Sequence, residues 1–138
     1  DRKPDGEFEV IDYKTGQPPS TRAVRAGFSL QLGLLGLIAE RGGFADIEGV
    51  ARALEYWSLA RSPRTGGFGY VDSPVDPKKK EPIPAEEFVD IAAHHFADAV
   101  RAWLTGDQPF TAKLVPEYAP YAEYDQLMRR DEWYGRRD

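Results

Sequence analysis

The first patterned stretch of the chain, residues 7–14 (EFEVIDYK), alternates in character from one residue to the next. In an extended chain Phe8, Val10 and Asp12 fall on one face, and the intervening residues fall on the other. The second set is partly apolar too, so both faces of this strand can be covered. Residues 15–20 (TGQPPS) then supply a turn pair and two prolines, which block further pairing and end the strand.

The most apolar stretch of the chain, residues 27–40 (GFSLQLGLLGLIAE), is predicted to form a helix. Its leucines and its isoleucine cover nearly every side, which is typical of a helix buried on most faces. Ser20 or Thr21 is a suitable residue to cap the start of this helix. Gly33 and Gly36 lower its helix propensity, and they are explained if another part of the chain must approach the backbone closely.

The rest of the chain predicts two more strands and two more helices. Residues 52–61 and 66–73 are rich in aromatic and alternating positions, so we predict antiparallel neighbours. Apolar residues recur at helical spacing through residues 85–105, and Gly106 marks the end of that helix. A last helix is predicted at residues 122–133.

Composition indicates one ordinary folded domain. The chain has 138 residues, of which 41% are hydrophobic and 30% charged, so we expect a single α/β domain over residues 1–138. The absence of cysteine excludes disulfides and thiolate metal sites. No apolar run approaches the roughly 20 residues that a bilayer crossing needs. Because the start also lacks a signal-peptide pattern, we expect a cytoplasmic protein without a membrane partner.

The net charge of −5 bears on the class of partner. Proteins that bind nucleic acid are often basic, because contacts with phosphates supply much of their affinity. The charge therefore argues mildly against a stand-alone DNA-binding protein. It is compatible with a metal-dependent nuclease, since such an enzyme must gather carboxylates and a larger partner can supply the positive surface.

Asp12 and Lys14 are the first candidates for chemistry. They lie two residues apart at the end of a strand and therefore share a face. Mg²⁺ prefers oxygen ligands, so the Asp12 carboxylate and the Tyr13 backbone carbonyl are two suitable donors. A bound cation would act as a Lewis acid on a phosphodiester and activate water, while Lys14 would stabilise charge growing on the phosphate. The alternative, favoured by spacing alone, is a surface ion pair worth less than about 1 kcal/mol.

A family resemblance favours the catalytic interpretation of Asp12 and Lys14 over the surface ion pair. The segment EVIDYKTG, followed by RAGFSLQLGLLGLIAE, resembles the RecB-type branch of the PD-(D/E)xK nuclease superfamily, and within it the C-terminal nuclease domain of AddB-type helicase–nuclease subunits. The ending AEYDQLMRRDEW is similar to the closing segment of the same group, in its alphaproteobacterial form. The resemblance implies a restriction-endonuclease-like mixed sheet flanked by helices. It also implies a Mg²⁺-dependent DNA exonuclease that processes double-strand breaks for recombinational repair, with DNA and an AddA-like subunit as partners.

The resemblance also assigns roles to individual residues. Asp12 matches the acidic metal ligand of the motif, Tyr13 the position whose carbonyl completes the metal shell, and Lys14 the catalytic lysine. Gln31 matches the glutamine of the Q-x-x-x-Y motif on the following helix, which helps to position the lysine or the DNA backbone. Leu35 stands where that motif has its tyrosine, so the DNA-contacting hydroxyl of the family is not expected here.

The family has an earlier aspartate on the preceding strand. The pair Asp1-Arg2 matches the residues just after it, so the first metal carboxylate is expected before residue 1, with Asp1 itself as the alternative. The opening helix and first strand of the fold would then also lie upstream. The chain is accordingly expected to be a C-terminal fragment of a larger protein, with little activity alone. The competing hypothesis is a non-catalytic module that binds DNA or the partner subunit as a structural arm.

Other candidates for binding are open to simpler explanations. His94 and His95 lie on opposite sides of the predicted helix, so we interpret them as a surface and a core histidine rather than a metal-binding pair. The lysines at 78–80 can touch DNA phosphates, although a solvated loop is the favoured interpretation. Arg22 and Arg25 can meet a phosphate near the start of the following helix or can simply solvate a loop.

Overall fold

The computed structural model describes residues 6–110, 115–118, 125–127 and 129. The chain forms two compact units, divided between Ala97 and Asp98. Asp1 lies outside the described residues. Of the last helix predicted at 122–133, only residues 125–127 and 129 are described, and they form turns.

The first unit is built on a three-stranded sheet. Its strands are β1 (Glu7–Lys14), β2 (Val50–Arg61) and β3 (Phe68–Asp72), in the spatial order β1-β2-β3. β1 pairs with β2 in parallel, and β2 pairs with β3 antiparallel. The sheet is therefore mixed, as predicted. The strand at 7–14 and the antiparallel pair formed by the next two strands are both confirmed.

The register of the parallel pair explains how one sheet face changes character along its length. Phe8 and its partner Ala51 are buried, and so is Leu54 further along β2. The same face then ends in polar groups, where Asp12 of β1 lies opposite Tyr56 of β2. Hydrophobic burial thus anchors the beginning of both strands, and this anchoring presents a carboxylate near the carboxyl end of β1.

Two helices, rather than the single predicted one, connect β1 to β2. The short helix α1 (Thr21–Arg25) is capped by the Ser20 hydroxyl, which accepts a 3.2 Å hydrogen bond from the Ala23 N–H. The second helix, α2, spans Gln31–Glu40. The predicted capping role of Ser20 is therefore confirmed for α1, whereas the predicted helix start at residue 27 is wrong by four residues.

Gly27 is the physical reason for the break between the two helices. Its backbone has a φ of 82°, in the left-handed region that favours glycine. The Gly27 N–H donates to the Val24 carbonyl at 3.1 Å, and the Phe28 N–H donates to the Ala23 carbonyl at 2.9 Å. This pair of bonds forms a Schellman motif, which satisfies the last carbonyls of α1 and turns the chain out of the helix.

The third helix, α3, spans Phe88–Ala99, inside the region predicted to be helical at 85–105. It packs closely on α2: a Cβ placed on Gly33 would lie only 2.3 Å from the Cβ of Ala92, and one placed on Gly36 would lie 3.0 Å from Val89 Cγ2. The predicted close approach at both glycines is therefore confirmed. The main core cluster consists of Val24, Leu32, Leu54, Tyr56, Ile83 and Phe88.

In the second unit, a π-helical turn spans Val100–Leu104, and its wider ring is closed by a 3.0 Å bond from the Thr105 N–H to the Val100 carbonyl. Arg101 forms an ion pair with Asp98. A single 3₁₀ turn follows at Pro116–Tyr118. In the described parts of both units, no helix is long and apolar enough to cross a lipid bilayer.

Candidate active site

Asp12 and Lys14 lie side by side on the same face of β1. Asp12 is buried, with 8% of its surface exposed, and its Oδ2 lies 2.8 Å from Lys14 Nζ. The angles of this contact are unsuitable for a hydrogen bond, so Oδ2 is a buried acceptor without a hydrogen-bond donor. The contact is therefore an attraction between charges, and the carboxylate retains a lone pair for a further ligand.

Gln31, the first residue of α2, joins the pair from a second element. Its Oε1 accepts a 2.8 Å hydrogen bond from Lys14 Nζ. The expected approach of Gln31 to Lys14 is confirmed, and the Gln31 side chain is exposed. Gln31 is exposed because α2 begins at this residue, so its side chain lies at the surface end of the helix rather than among the apolar positions that follow.

Tyr56 completes the surroundings of Lys14. Lys14 Nζ lies 5.8 Å from the centroid of the Tyr56 ring, within the range of a cation–π contact. The ring is fully buried, and its hydroxyl makes no hydrogen bond of acceptable geometry. Burial raises the pKa of Tyr56 from 10.0 to about 12; a contact with Ser29 acts in the opposite direction, and the charges of Asp12 and Asp72 add to the increase.

Tyr56 and Ser58, two residues apart on β2, also face this site and were not among the residues predicted for it. Ser58 is buried and lies opposite Lys14, and its hydroxyl donates a 2.8 Å hydrogen bond to the Gly16 carbonyl, which fixes the turn that follows β1. Alternation within residues 52–61 places Tyr56 and Ser58 on one face. That signal was present in the sequence, but it does not reveal which residues of β1 they face.

The oxygen donors of the site suit a divalent metal ion. Asp12 Oδ2 is a buried, anionic and orphaned acceptor, and the Tyr13 backbone carbonyl is a second hard oxygen of the kind that Mg²⁺ prefers. Within the described ranges, no group of three or more histidine, aspartate or glutamate side chains could hold a metal. Mg²⁺ binds proteins through one or two carboxylates and keeps several waters, so these two donors fit it as part of a shell.

Leu35 lies one helical turn after Gln31. It lines an apolar groove of about 380 Å³ beside β1, together with Phe8, Val10, Ile11, Tyr13, Ala39, Phe44 and Ile47 and the carboxylate-bearing Glu9. Position 35 therefore contributes apolar surface and carries no hydroxyl that could contact DNA. Gln31 and Leu35, four positions apart on α2, thus differ in character: the first is polar and bonded to Lys14, and the second is apolar.

The two histidines have different surroundings in the described structure. His95 Nε2 lies 2.9 Å from the Arg25 backbone carbonyl, so this half-buried side chain ties α3 to the end of α1. His94 is exposed, and its ring centroid is 6.4 Å from that of His95. The interpretation of His94 as a surface residue is confirmed, and His95 has a structural contact rather than a position deep in the core.

Comparison with known proteins places this geometry in a family. The family model of the PD-(D/E)XK nuclease superfamily matches residues 1–114, which include every helix and strand of the first unit. No curated protein and no solved structure matches the chain. The mixed sheet flanked by helices agrees with the restriction-endonuclease-like fold that this superfamily shares. The chain therefore belongs to the PD-(D/E)XK nuclease superfamily.

Proposed function

We propose that the chain is a metal-dependent deoxyribonuclease that hydrolyses phosphodiester bonds with Mg²⁺. The observation that carries this proposal is the meeting of Asp12, Lys14 and Gln31, which come from a strand and a separate helix. Lys14 lies 2.8 Å from a polar atom of each of the other two. An aspartate and a lysine joined in this way suit phosphoryl chemistry, and the chain that carries them belongs to a nuclease superfamily.

Asp12 and the Tyr13 carbonyl would hold the metal ion. When bound, Mg²⁺ supplies a Lewis acid and lowers the pKa of a coordinated water. In the hydrolysis, a water oxygen would form a bond to phosphorus, the bond from phosphorus to the leaving sugar oxygen would break, and that oxygen would take up a proton as the water loses one. An ammonium has three N–H donors, so Lys14 can contact Asp12 and Gln31 and still donate to a phosphate oxygen that gains negative charge.

We further propose that this activity is that of a DNA exonuclease domain in an AddB-type helicase–nuclease subunit. Its role would be to process double-strand breaks for recombinational repair, in the cytoplasm and beside an AddA-like partner. The support is the resemblance of the β1–α2 region to that branch of the superfamily, on the Asp12–Tyr13–Lys14 motif and Gln31. The sequence carries no nucleotide-binding motif, so the ATP-driven motor would belong to other parts of such a complex.

A second candidate function is a non-catalytic module that binds DNA or the partner subunit. Two observations favour it, and the first is that Asp12 Oδ2 and the Lys14 ammonium are already paired at 2.8 Å, as expected for a structural ion pair. A metal ion bound to the same oxygen would have to share it with that ammonium and would meet its positive charge. Leu35, in place of a tyrosine, points the same way because it removes a polar group from the motif.

The experiment that separates the two functions measures degradation and unwinding of linear DNA by the full-length protein, in the presence of Mg²⁺, ATP and any partner subunit. Asp12→Asn and Lys14→Gln should each lower degradation by about 100-fold or more, since each removes a group needed in the transition state, and should leave unwinding intact. Glu9→Gln is the matched control, because Glu9 is a carboxylate on the opposite face of β1. Degradation at the wild-type rate by Asp12→Asn would support the non-catalytic module instead.

A further inference from the structure

Two basic segments that are far apart in the sequence meet in one open pocket. The pocket has a volume of about 350 Å³ and is lined by Thr21, Arg22, Arg25, Lys79, Lys80 and Glu81. We call it the basic pocket. Four of its six residues carry a positive charge and one carries a negative charge, in a chain whose net charge is −5. The net charge of the pocket lining is therefore positive, whereas the net charge of the whole chain is negative.

Hydrogen bonds hold the two sides of the basic pocket together. Lys79 Nζ donates to the Thr21 hydroxyl and to Asp72 Oδ2, each at 2.9 Å. From α1, Arg25 Nη2 donates to the backbone carbonyls of Glu81 at 3.3 Å and Pro82 at 2.9 Å. Arg25 on α1 and Lys79 on the loop are thus held in fixed positions, which reduces the entropy that is lost when a ligand binds.

Positive charge in the basic pocket remains available to a ligand. The acceptors of the Arg25 guanidinium are neutral carbonyl groups, so its charge is not compensated by that contact. Lys80 is exposed and forms no ion pair within the described ranges. Asp72 balances Lys79 on one side, and the Glu81 carboxylate is the one opposing charge in the lining. An anionic ligand would therefore meet a net positive surface.

The basic pocket lies on the same face of the sheet as the candidate active site. Tyr56 is paired with Asp12 on one side and with Asp72 on the other, so these three residues form one row across the strands. Neighbouring strands are about 4.8 Å apart, which places the Asp72 backbone about 10 Å from that of Asp12.

We propose that the basic pocket binds a backbone phosphate of a nucleic-acid strand. The recognition chemistry is that of arginine and lysine donors on phosphate oxygens, which is independent of base sequence. Its use as a subsite for DNA that is being cut at Asp12 rests on the proposed function, whereas phosphate binding itself does not. On that basis, the phosphate would belong to the same strand as the bond that is hydrolysed and would lie close to it.

The test compares two neighbouring lysines of one run. Lys80 lines the basic pocket, whereas Lys78 is exposed and lies outside the lining, so Lys80→Gln and Lys78→Gln make the same change in net charge. The full-length protein is titrated with a fluorescein-labelled single-stranded oligonucleotide in EDTA, and the Kd is measured by anisotropy between 50 and about 200 mM NaCl, a range over which phosphate contacts are strongly salt-dependent. EDTA prevents cleavage, so binding is measured without catalysis.

Lys80→Gln should weaken binding about fivefold at the lowest salt, the loss expected for one charge contact in water. It should also reduce the slope of log Kd against log salt by about 0.7, the value for one phosphate of a single strand. Lys78→Gln should change neither quantity appreciably. Equal effects of the two substitutions, or no binding by the wild type at 50 mM NaCl, would overturn the proposal. If Lys80→Gln has a selective effect in a protein that cleaves no DNA, the result supports the phosphate site and contradicts the nuclease function.

Discussion

Lys14 Nζ donates a 2.8 Å hydrogen bond to Gln31 Oε1, which fastens the last residue of β1 to the first residue of α2. This bond spans 17 positions of sequence and fixes the direction of the ammonium relative to Asp12. The lysine therefore does not depend on the ion pair alone for its position.

Removal of this bond should impair catalysis more than folding. Gln31→Ala should lower the rate of DNA cleavage about tenfold, the lower end of the range for residues that orient a metal-site group. The free energy of unfolding should change by less than about 0.5 kcal/mol, because Gln31 is exposed. Gln17→Ala is the control, since Gln17 bonds to Tyr70 and to the Arg61 carbonyl instead. Cleavage at the wild-type rate by Gln31→Ala would remove Gln31 from the site.

Asp12 and Lys14 should be distinguishable by metal binding. Asp12→Asn should weaken the binding of Mn²⁺, used as a spectroscopic substitute for Mg²⁺, because it removes an anionic ligand. Lys14→Gln should leave Mn²⁺ bound at least as well as in the wild type, because it removes a competing positive charge that lies 2.8 Å from Asp12 Oδ2. Electron paramagnetic resonance of free Mn²⁺ measures both. A loss of Mn²⁺ in Lys14→Gln would contradict the division of roles.

Tyr56→Phe should not destabilise the protein at neutral pH. The Tyr56 hydroxyl is buried without a hydrogen bond of acceptable geometry, so its removal should raise the free energy of unfolding by about 1 kcal/mol. Tyr70→Phe is the matched control, because the Tyr70 hydroxyl donates to Gln17 and its loss should be destabilising. Urea denaturation measures both changes. A loss of stability in Tyr56→Phe would show that the hydroxyl is bonded after all, with Ser29 as its nearest candidate.

The pKa of Tyr56 also predicts a difference at alkaline pH. The side chain ionises at pH 10.0 when unfolded and at about 12 when folded, so only the unfolded chain releases this proton between those values. Stability is therefore unaffected by this group below pH 10 and falls as the pH rises from 10 to about 12. Tyr56→Phe should lose less stability than the wild type across that window. Identical pH profiles would show that the burial of Tyr56 does not affect its ionisation.

Gly33→Ala should destabilise the fold, because its Cβ would lie 2.3 Å from the Ala92 Cβ and either α2 or α3 would have to move. We expect a loss of about 1–3 kcal/mol, the usual cost of overpacking a core. Gly16→Ala is the control, since a Cβ there meets nothing within 4 Å. Thermal unfolding of both variants provides the measurement. Equal melting temperatures for wild type and Gly33→Ala would show that the interface between the helices can expand freely.

Much of the sheet was predictable because its signals are local. Alternation in residues 7–14 established β1 and the shared face of Asp12 and Lys14, and the antiparallel strands followed from aromatic alternation. The break at Gly27 was missed because a run of apolar residues resembles one continuous helix, and only the left-handed glycine ends α1. Tyr56 could not be identified because its position opposite Asp12 depends on the register of two distant strands.

The meeting of the two basic segments at the basic pocket could not be predicted from the sequence, for a related reason. Arg25 and Lys79 are more than fifty positions apart, and each was assigned to a separate loop or helix start. The bonds from Lys79 to Thr21 and from Arg25 to the Glu81 and Pro82 carbonyls bring the two segments together. Long-range contacts of this kind are set by tertiary packing and leave no periodic signal in the chain.

The close contact of Gly33 with Ala92 leaves α2 little freedom to shift relative to α3. Gly33 is two residues from Gln31, which is about 3 Å of helix rise, and a helix transmits a displacement over that length almost unchanged. A shift of α2 by a few tenths of an ångström at its buried side would therefore displace Gln31 and change the direction of the Lys14 ammonium. Core mutations near Ala92 should consequently misalign Gln31 and Lys14 in a protein that is still fully folded.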